Sequence, residues 1–295
     1  MKGIAFPLLA IMMWSGNVLV SKLAAGLIQP LAMTFCRLLV ALAVMATFIL
    51  PSIWRDRAVI IQVLPKLAVL GFLSMALYQC LSYQAASTTT ANHMAVMTAL
   101  NPLLTMLVSA CLLGEVLTLG MVMGGLTALL GIIVLVAHGN LMSLVQEGAP
   151  EGDVLMLVAS GVYAFYSVLI RKWSLPLTVW QSTFMQAVSA CICICMGFAL
   201  LFTRPAISIT SQTLPLILYA GVLASVLLPY FWIKGVLLIG PARCSLFMNV
   251  LPVLTAILSS VWLQAPVDAY FVAGTSLALG GVMLAQVLQR PLRQR

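Results

Sequence analysis

Charge is what this sequence has least of. Only 7% of its 295 residues are charged, and six of those are acidic, whereas about a quarter of a soluble domain is charged. A chain of this size folded in water needs a wet surface, so lipid is the expected solvent and a soluble globular fold is excluded. Acids are missing from the interiors of the apolar runs: Asp56, Glu115, Glu147, Glu151, Asp153 and Asp268 all fall at run ends or between runs. That disfavours a proton-coupled carrier of cations, which ordinarily keeps a carboxylate inside the membrane. Walker A and HExxH sequences are also absent, and no acid stands at depth beside His93, so an intramembrane enzyme is not expected. On a helix Cys193 points about 200° away from Cys191, so Cys191, Cys193 and Cys195 do not converge on a metal. No cofactor is expected.

Apolar residues make up 63% of the chain, and they are gathered into long runs. A bilayer core takes roughly 20 apolar residues per helix. Breaks of charge, Pro or Gly leave ten such segments, over 3–23, 29–50, 64–84, 87–113, 118–138, 153–171, 176–202, 213–235, 240–263 and 267–288. The predicted fold is therefore all-α and integral to the membrane, with ten transmembrane helices. The net charge of +8 carries no aromatic-interleaved basic face, so nucleic acid is not an expected partner. Topology accounts for it instead. With the N-terminus inside, the inner side holds Lys2, Arg55, Arg57, Lys66, Arg171, Lys172, Lys234, Arg243, Arg290, Arg293 and Arg295, and the outer side only Lys22 and Arg204. Both termini are thus expected in the cytoplasm, with an acidic linker outside.

The sequence also matches itself at an offset of 149–150 residues. Trp14, Asn17 and Lys22 fall on Tyr163, Tyr166 and Arg171, and Phe35 and Arg37 on Phe184 and Gln186. Pro102 falls on Pro252, Gly124 on Gly274 and Gly131 on Gly281. Duplication of an odd number of spans turns the second copy upside down, giving two inverted five-helix repeats with a site expected where they meet. The repeats run over 1–140 and 153–289, separated by the linker 141–152 and followed by a basic tail 290–295. One chain supplies both halves, so a monomer suffices.

Polar groups within the spans are the candidate binding residues for a small-molecule substrate. Trp14, Asn17 and Ser21 share a face of the first helix, Tyr78 and Ser82 one of the third, and Tyr163 and Tyr166 one of the sixth. His93 and Asn101 stand on one stripe of the fourth, and Tyr230 lies inside the eighth. The alternative for each is a helix–helix hydrogen bond. Pro102 and Pro252 predict matched bends. Arg37 lies about 13 Å deep by helical rise and must meet carbonyls, water or a substrate carboxylate.

Trp14-Ser15-Gly16-Asn17 with Lys22, Pro30 with Phe35-Cys36-Arg37, Tyr83 with Ala85-Ala86, Asn101-Pro102 and Leu113-Gly114-Glu115 together resemble the drug/metabolite transporter superfamily, specifically its EamA-domain members. The resemblance covers roughly 3–288, and Leu263-Gln264-Ala265 departs from the Leu-Gly-Glu common in the second copy. It is nearest the YddG-type exporters. What it implies is export of aromatic amino acids or related neutral metabolites across a bacterial inner membrane, and a structural role for Arg37; the repeat-matched Pro102, Pro252, Gly124 and Gly274 are expected to be structural or gating with it. A nucleotide-sugar or phosphorylated-metabolite exchanger, or a multidrug exporter, is the alternative within the superfamily.

Overall fold

Backbone N–H and C=O groups find no water in lipid, so each apolar run closes its hydrogen bonds on itself as a helix. The computed structural model describes residues 3–24, 27–88, 97–137, 140, 142, 151–200, 209–254, 257 and 269–288, and among these there is no β-strand. The helices are α1 (Ala5–Ala24), α2 (Pro30–Arg55) and α3 (Arg57–Gly71), then a π-helical segment Phe72–Leu77 leading directly into α4 (Tyr78–Thr88). After them come α5 (Asn101–Leu113), α6 (Leu119–Ala137), α7 (Glu151–Trp173) and α8 (Val179–Leu200). The chain continues through α9 (Thr213–Val222), a second π-helical segment Leu223–Leu227 and α10 (Leu228–Ile239). Last are α11 (Pro241–Ser245), a 3-10 turn Leu246–Asn249 and α12 (Ala269–Val287). Five helical stretches are long and apolar enough to cross a membrane: Leu31–Arg55, Arg57–Ser82, Glu151–Trp173, Val179–Gly197 and Thr213–Ile239. Shorter apolar helices fall on the other expected segments: Ala5–Val20, Met97–Leu113, Leu119–Leu135, Pro241–Leu254 and Val272–Ala285.

Some boundaries move. The sequence reading ends the second span at 50, begins the third at 64 and leaves Arg55 and Arg57 between them, with Lys66 just inside the third. In the structure α2 runs to Arg55, α3 starts at Arg57, and Asp56 alone joins them. Exposed Arg55 and Arg57 extend the helices because long basic side chains reach water from a helix end. Thr178 and Gln181 form a reciprocal cap at the start of α8: the Gln181 N–H donates to Thr178 Oγ1 at 3.2 Å and the Thr178 N–H to Gln181 Oε1 at 2.9 Å. The Gln181 amide then donates to Ser52 Oγ and Asp56 Oδ2, both at 2.7 Å, tying α8 to the α2–α3 corner.

Helix packing follows the offset seen in the sequence. α3 lies on α8 as α9 lies on α2, and α4 lies on α7 as α10 lies on α1. Gly71 and Gly221, 150 residues apart, permit the first pair of contacts. A Cβ at Gly71 would stand 3.0 Å from Gln186 Cα, and one at Gly221 would stand 3.2 Å from the Arg37 carbonyl oxygen. α6 and α12 pack tightest. Cβ atoms at Gly131 and Gly274 would each sit 2.7 Å from the other glycine's carbonyl oxygen, and Gly124 meets Gly281 in the same way. Gly124 against Gly281 and Gly131 against Gly274 means that α6 and α12 run antiparallel. Small residues that let helix backbones touch are the usual adhesive between membrane helices, where lipid removes the hydrophobic drive.

Substituting Gly131 by Leu forces this pair apart. Overpacking of a filled interface costs about 1–3 kcal/mol, so thermal unfolding in detergent is expected to fall by several degrees, whereas Leu at Gly161, which has no neighbour within reach of a Cβ, leaves it unchanged. The Arg55 guanidinium, and after it the Gln181 amide, hold the Asp56 carboxyl below the usual carboxylate range. A lowered value means that the contact stabilises above the unfolded-state pKa and is lost as pH falls through the folded one. Stability differences between the wild type and Asp56→Asn are therefore expected to be constant from pH 7 to 5 and to shrink only below about pH 4.

Candidate functional site

A cavity with roughly 550 Å³ of space between its atoms, mouth included, lies between α1, α2, the first π-helical segment with α4, α7, and the second π-helical segment with α10. Trp14, Tyr78, Tyr163 and Tyr166 form its aromatic wall. Tyr163 is the hub, with the rings of Trp14, Tyr78, Tyr166 and Trp232 at 5.1, 5.0, 5.3 and 5.5 Å between centroids. Each pair of that kind adds about 0.5–1.5 kcal/mol beyond burial, so the rings are held in fixed mutual tilt. Trp232 is fully buried, and its indole N–H donates to Ser167 Oγ at 3.2 Å.

Arg37 forms the polar wall and is 4% exposed. Its Nε donates to Ser225 Oγ at 2.8 Å and its Nη2 to the Ala224 carbonyl at 3.1 Å. Both acceptors belong to the second π-helical segment. A π turn releases carbonyls from the i−4 ladder, and such turns recur at functional sites. Here Ser225 Oγ in turn donates to Ala220 O, five residues back, at 2.7 Å. The counterpart of Arg37 in the second half, Gln186, is fully buried and engaged on both sides: its amide donates to Ser182 Oγ at 2.9 Å, and its Oε1 accepts from the Tyr166 hydroxyl at 3.1 Å.

Of the residues expected to bind substrate, the cavity gathers Trp14, Asn17, Tyr78, Tyr163 and Tyr166. Arg37, expected to be structural or gating, stands in the same wall. Ser82 is half-buried and does not line it. Asn101 is 1% exposed and acts as a clamp, its Nδ2 donating to the Ser160 carbonyl at 2.9 Å while Thr105 Oγ1 donates to the Asn101 carbonyl. Tyr230 is directed elsewhere. It stacks on Trp180 with centroids 4.1 Å apart, and its hydroxyl accepts from Lys234 Nζ at 3.2 Å. Two residues on a helix diverge by about 200°, so Trp232 rather than Tyr230 meets the aromatic cluster. His93 lies outside the described residues. Pro102 is in the first turn of α5, and Pro252 lies in the helical turn 250–254 that follows the 3-10 turn Leu246–Asn249. Gly124 and Gly274 lie at the α6–α12 contact.

Thr34, Ser74, Gln79 and Ser225 also line the cavity and escaped the sequence reading. A signal existed for two of them: Thr34 lies one helical turn before Arg37, and Ser74 one before Tyr78. The Leu113-Gly114-Glu115 motif lies outside the cavity. Gly114 ends α5 with φ 64° in the left-handed region, and Glu115 accepts a hydrogen bond from Ser109. The Glu115 carboxylate also stands 3.1 Å from where a Cβ at Gly240 would be, and Gly240, at φ 85°, needs the same freedom.

A bundle whose described residues are helical and apolar, around a ring-lined cavity with one cation in its wall, has the build of a membrane transporter. The chain belongs to the EamA-like transporter family, which matches residues 1–137 and again 150–286. It is 25% identical over 271 residues to an uncharacterized transporter of Bacillus subtilis (strain 168), YyaM, covering 90% of this chain and 87% of that one. A solved crystal structure of a protein 20% identical in sequence superimposes with a TM-score of 0.78 over 97% of this chain and 99% of that chain, and shows the same fold.

Asn101→Ala separates packing from recognition. Losing one buried hydrogen bond costs about 0.5–1.5 kcal/mol, so the unfolding temperature in detergent is expected to drop while the half-saturating substrate concentration of the remaining folded protein stays within about twofold of the wild type.

Proposed function

We propose that this transporter is an alternating-access exporter of amino acids, aromatic ones foremost, or of closely related neutral metabolites. The observation that carries the reading is the cavity: aromatic faces around Tyr163 and a single guanidinium, with no Asp or Glu among the described residues that line it. Aromatic walls take a planar ring by tilted or stacked contact. A lone cation suits one carboxylate better than the doubly charged phosphates of a nucleotide-sugar exchanger. Without a carboxylate to exchange a proton, the substrate's own gradient drives transport, as in a facilitator. Outward direction and bacterial inner-membrane placement come from the resemblance to YddG-type exporters.

All ten apolar helices are read as spans, in two inverted repeats over 1–140 and 153–289. Contacts between α3 and α8 and between α9 and α2, related by the sequence offset, support this, as does the antiparallel course of α6 and α12. Equivalent helices that run in opposite directions are what an inverted duplication requires. Eleven basic residues on one side against two on the other support cytoplasmic termini. Each half brings its own wall to the cavity, so one chain is a complete carrier.

The test is counterflow in liposomes loaded with unlabelled amino acid. Labelled phenylalanine and tryptophan are expected to accumulate transiently, and lysine not to. Tyr163→Leu is expected to slow phenylalanine at least about tenfold, equivalent to 1.4 kcal/mol, while inserting normally. Robust movement of lysine or a sugar phosphate with none of phenylalanine would overturn the substrate reading, and a strict need for a pH gradient would overturn the facilitator.

A further inference from the structure

We propose that Arg37 holds the carboxylate of the substrate through its Nη1 edge, and that an amino group on the substrate is dispensable, so that the class recognised is the aromatic monocarboxylates rather than amino acids as such. The inference rests on the reading of this cavity as the place where the transported molecule sits.

Three features of the guanidinium support it. Its side-on edge is spent on the protein, with Nε on Ser225 Oγ at 2.8 Å and Nη2 on Ala224 O at 3.1 Å. Nη1 is buried, has no hydrogen-bond partner and belongs to a residue 4% exposed in the cavity wall. A buried guanidinium donor needs an acceptor. A carboxylate brought to it supplies one and gains a charge-assisted bond on the end-on edge, which matches its two oxygens. Because the side-on edge is pinned to a π-helical turn, the free edge is held in one direction before substrate arrives. Such pre-organisation favours binding.

The site is also single. At the matching place in the other half, Gln186 is satisfied on both sides by Ser182 and Tyr166. An ammonium meets no opposite charge there, only neutral acceptors and ring faces. No carboxylate faces the cavity among the described residues, leaving Asn17, Gln79, hydroxyls and ring faces, which are neutral. Loss of the carboxylate should therefore cost far more than loss of the amine.

Four probes decide it: phenylalanine, 3-phenylpropionate, phenylalanine amide and phenethylamine, each titrated against thermal unfolding of the purified full chain in detergent at pH 7.5. Membrane permeation does not enter this readout. The two carboxylates are expected to half-saturate within about threefold of each other, and the amide and amine at least about tenfold weaker. Arg37→Gln, which installs the side chain found at the matching position of the other half, is expected to close the gap to within about threefold. Ser225→Ala, which unpins the guanidinium, narrows it partly. Equal stabilisation by acid and amide in the wild type, stabilisation by none of the four, or an undiminished gap in Arg37→Gln would overturn the proposal. The wild-type series stands even where a variant fails to fold. Phenylalanine counterflow without acid selectivity leaves the exporter reading and removes the Arg37 assignment. Acid-selective stabilisation without amino-acid counterflow does the reverse.

Discussion

Hydrogen bonds that backbone groups cannot make with lipid govern this structure. Both π-helical segments turn buried residues into the bundle, and side chains take up carbonyls beside them. Ser74 Oγ donates to Leu70 O at the first π-helical segment, Ser225 Oγ donates to Ala220 O at the second, and the Arg37 guanidinium takes Ala224 O. The same π turn that interrupts one helix is thus the seat that allows a permanent cation to lie inside the membrane. Remove the seat and the cation has no place; remove the cation and Ala224 O is left without its donor. Cavity and irregular backbone are two aspects of one arrangement.

Close approach of helices supplies the second constraint. Gly131 with Gly274 and Gly124 with Gly281 bring α6 and α12 into backbone contact, away from the ring-lined wall. Gly71 and Gly221 instead lie at the two places where a helix of one half crosses the second helix of the other, immediately before the π-helical segments. Arg37 and Gln186 mark the two crossings with different chemistry, a charge at one and a saturated amide at the other.

Much of the fold was legible in the residues. Run length and the scarcity of charge pointed to apolar helices, and the 150-residue offset that pairs Gly131 with Gly281 reappears as paired helix contacts. The candidate site was legible in part. Trp14, Asn17, Tyr78, Tyr163 and Tyr166 were selected because polar or aromatic groups on one helix face at depth are costly without a purpose, and they do share a cavity. Tyr230 was selected on the same ground and points elsewhere, since depth says nothing about direction around the helix. Ser225 and Ser74 escaped because serine is common in membrane helices, and a π turn carries no residue signature.

By itself, then, the sequence determined the solvent, the helical class and the kinship of the two halves, because composition, run length and self-similarity are properties of a one-dimensional string. Which faces meet was decided only in three dimensions. Whether Arg37 contacts helix carbonyls or lines the cavity could not be separated along the chain: it does both, because Ala224 and Ser225, nearly 190 residues away, are brought beside it. A guanidinium has several donors pointing different ways, and only tertiary packing settles which of them the protein uses and which it leaves unpaired.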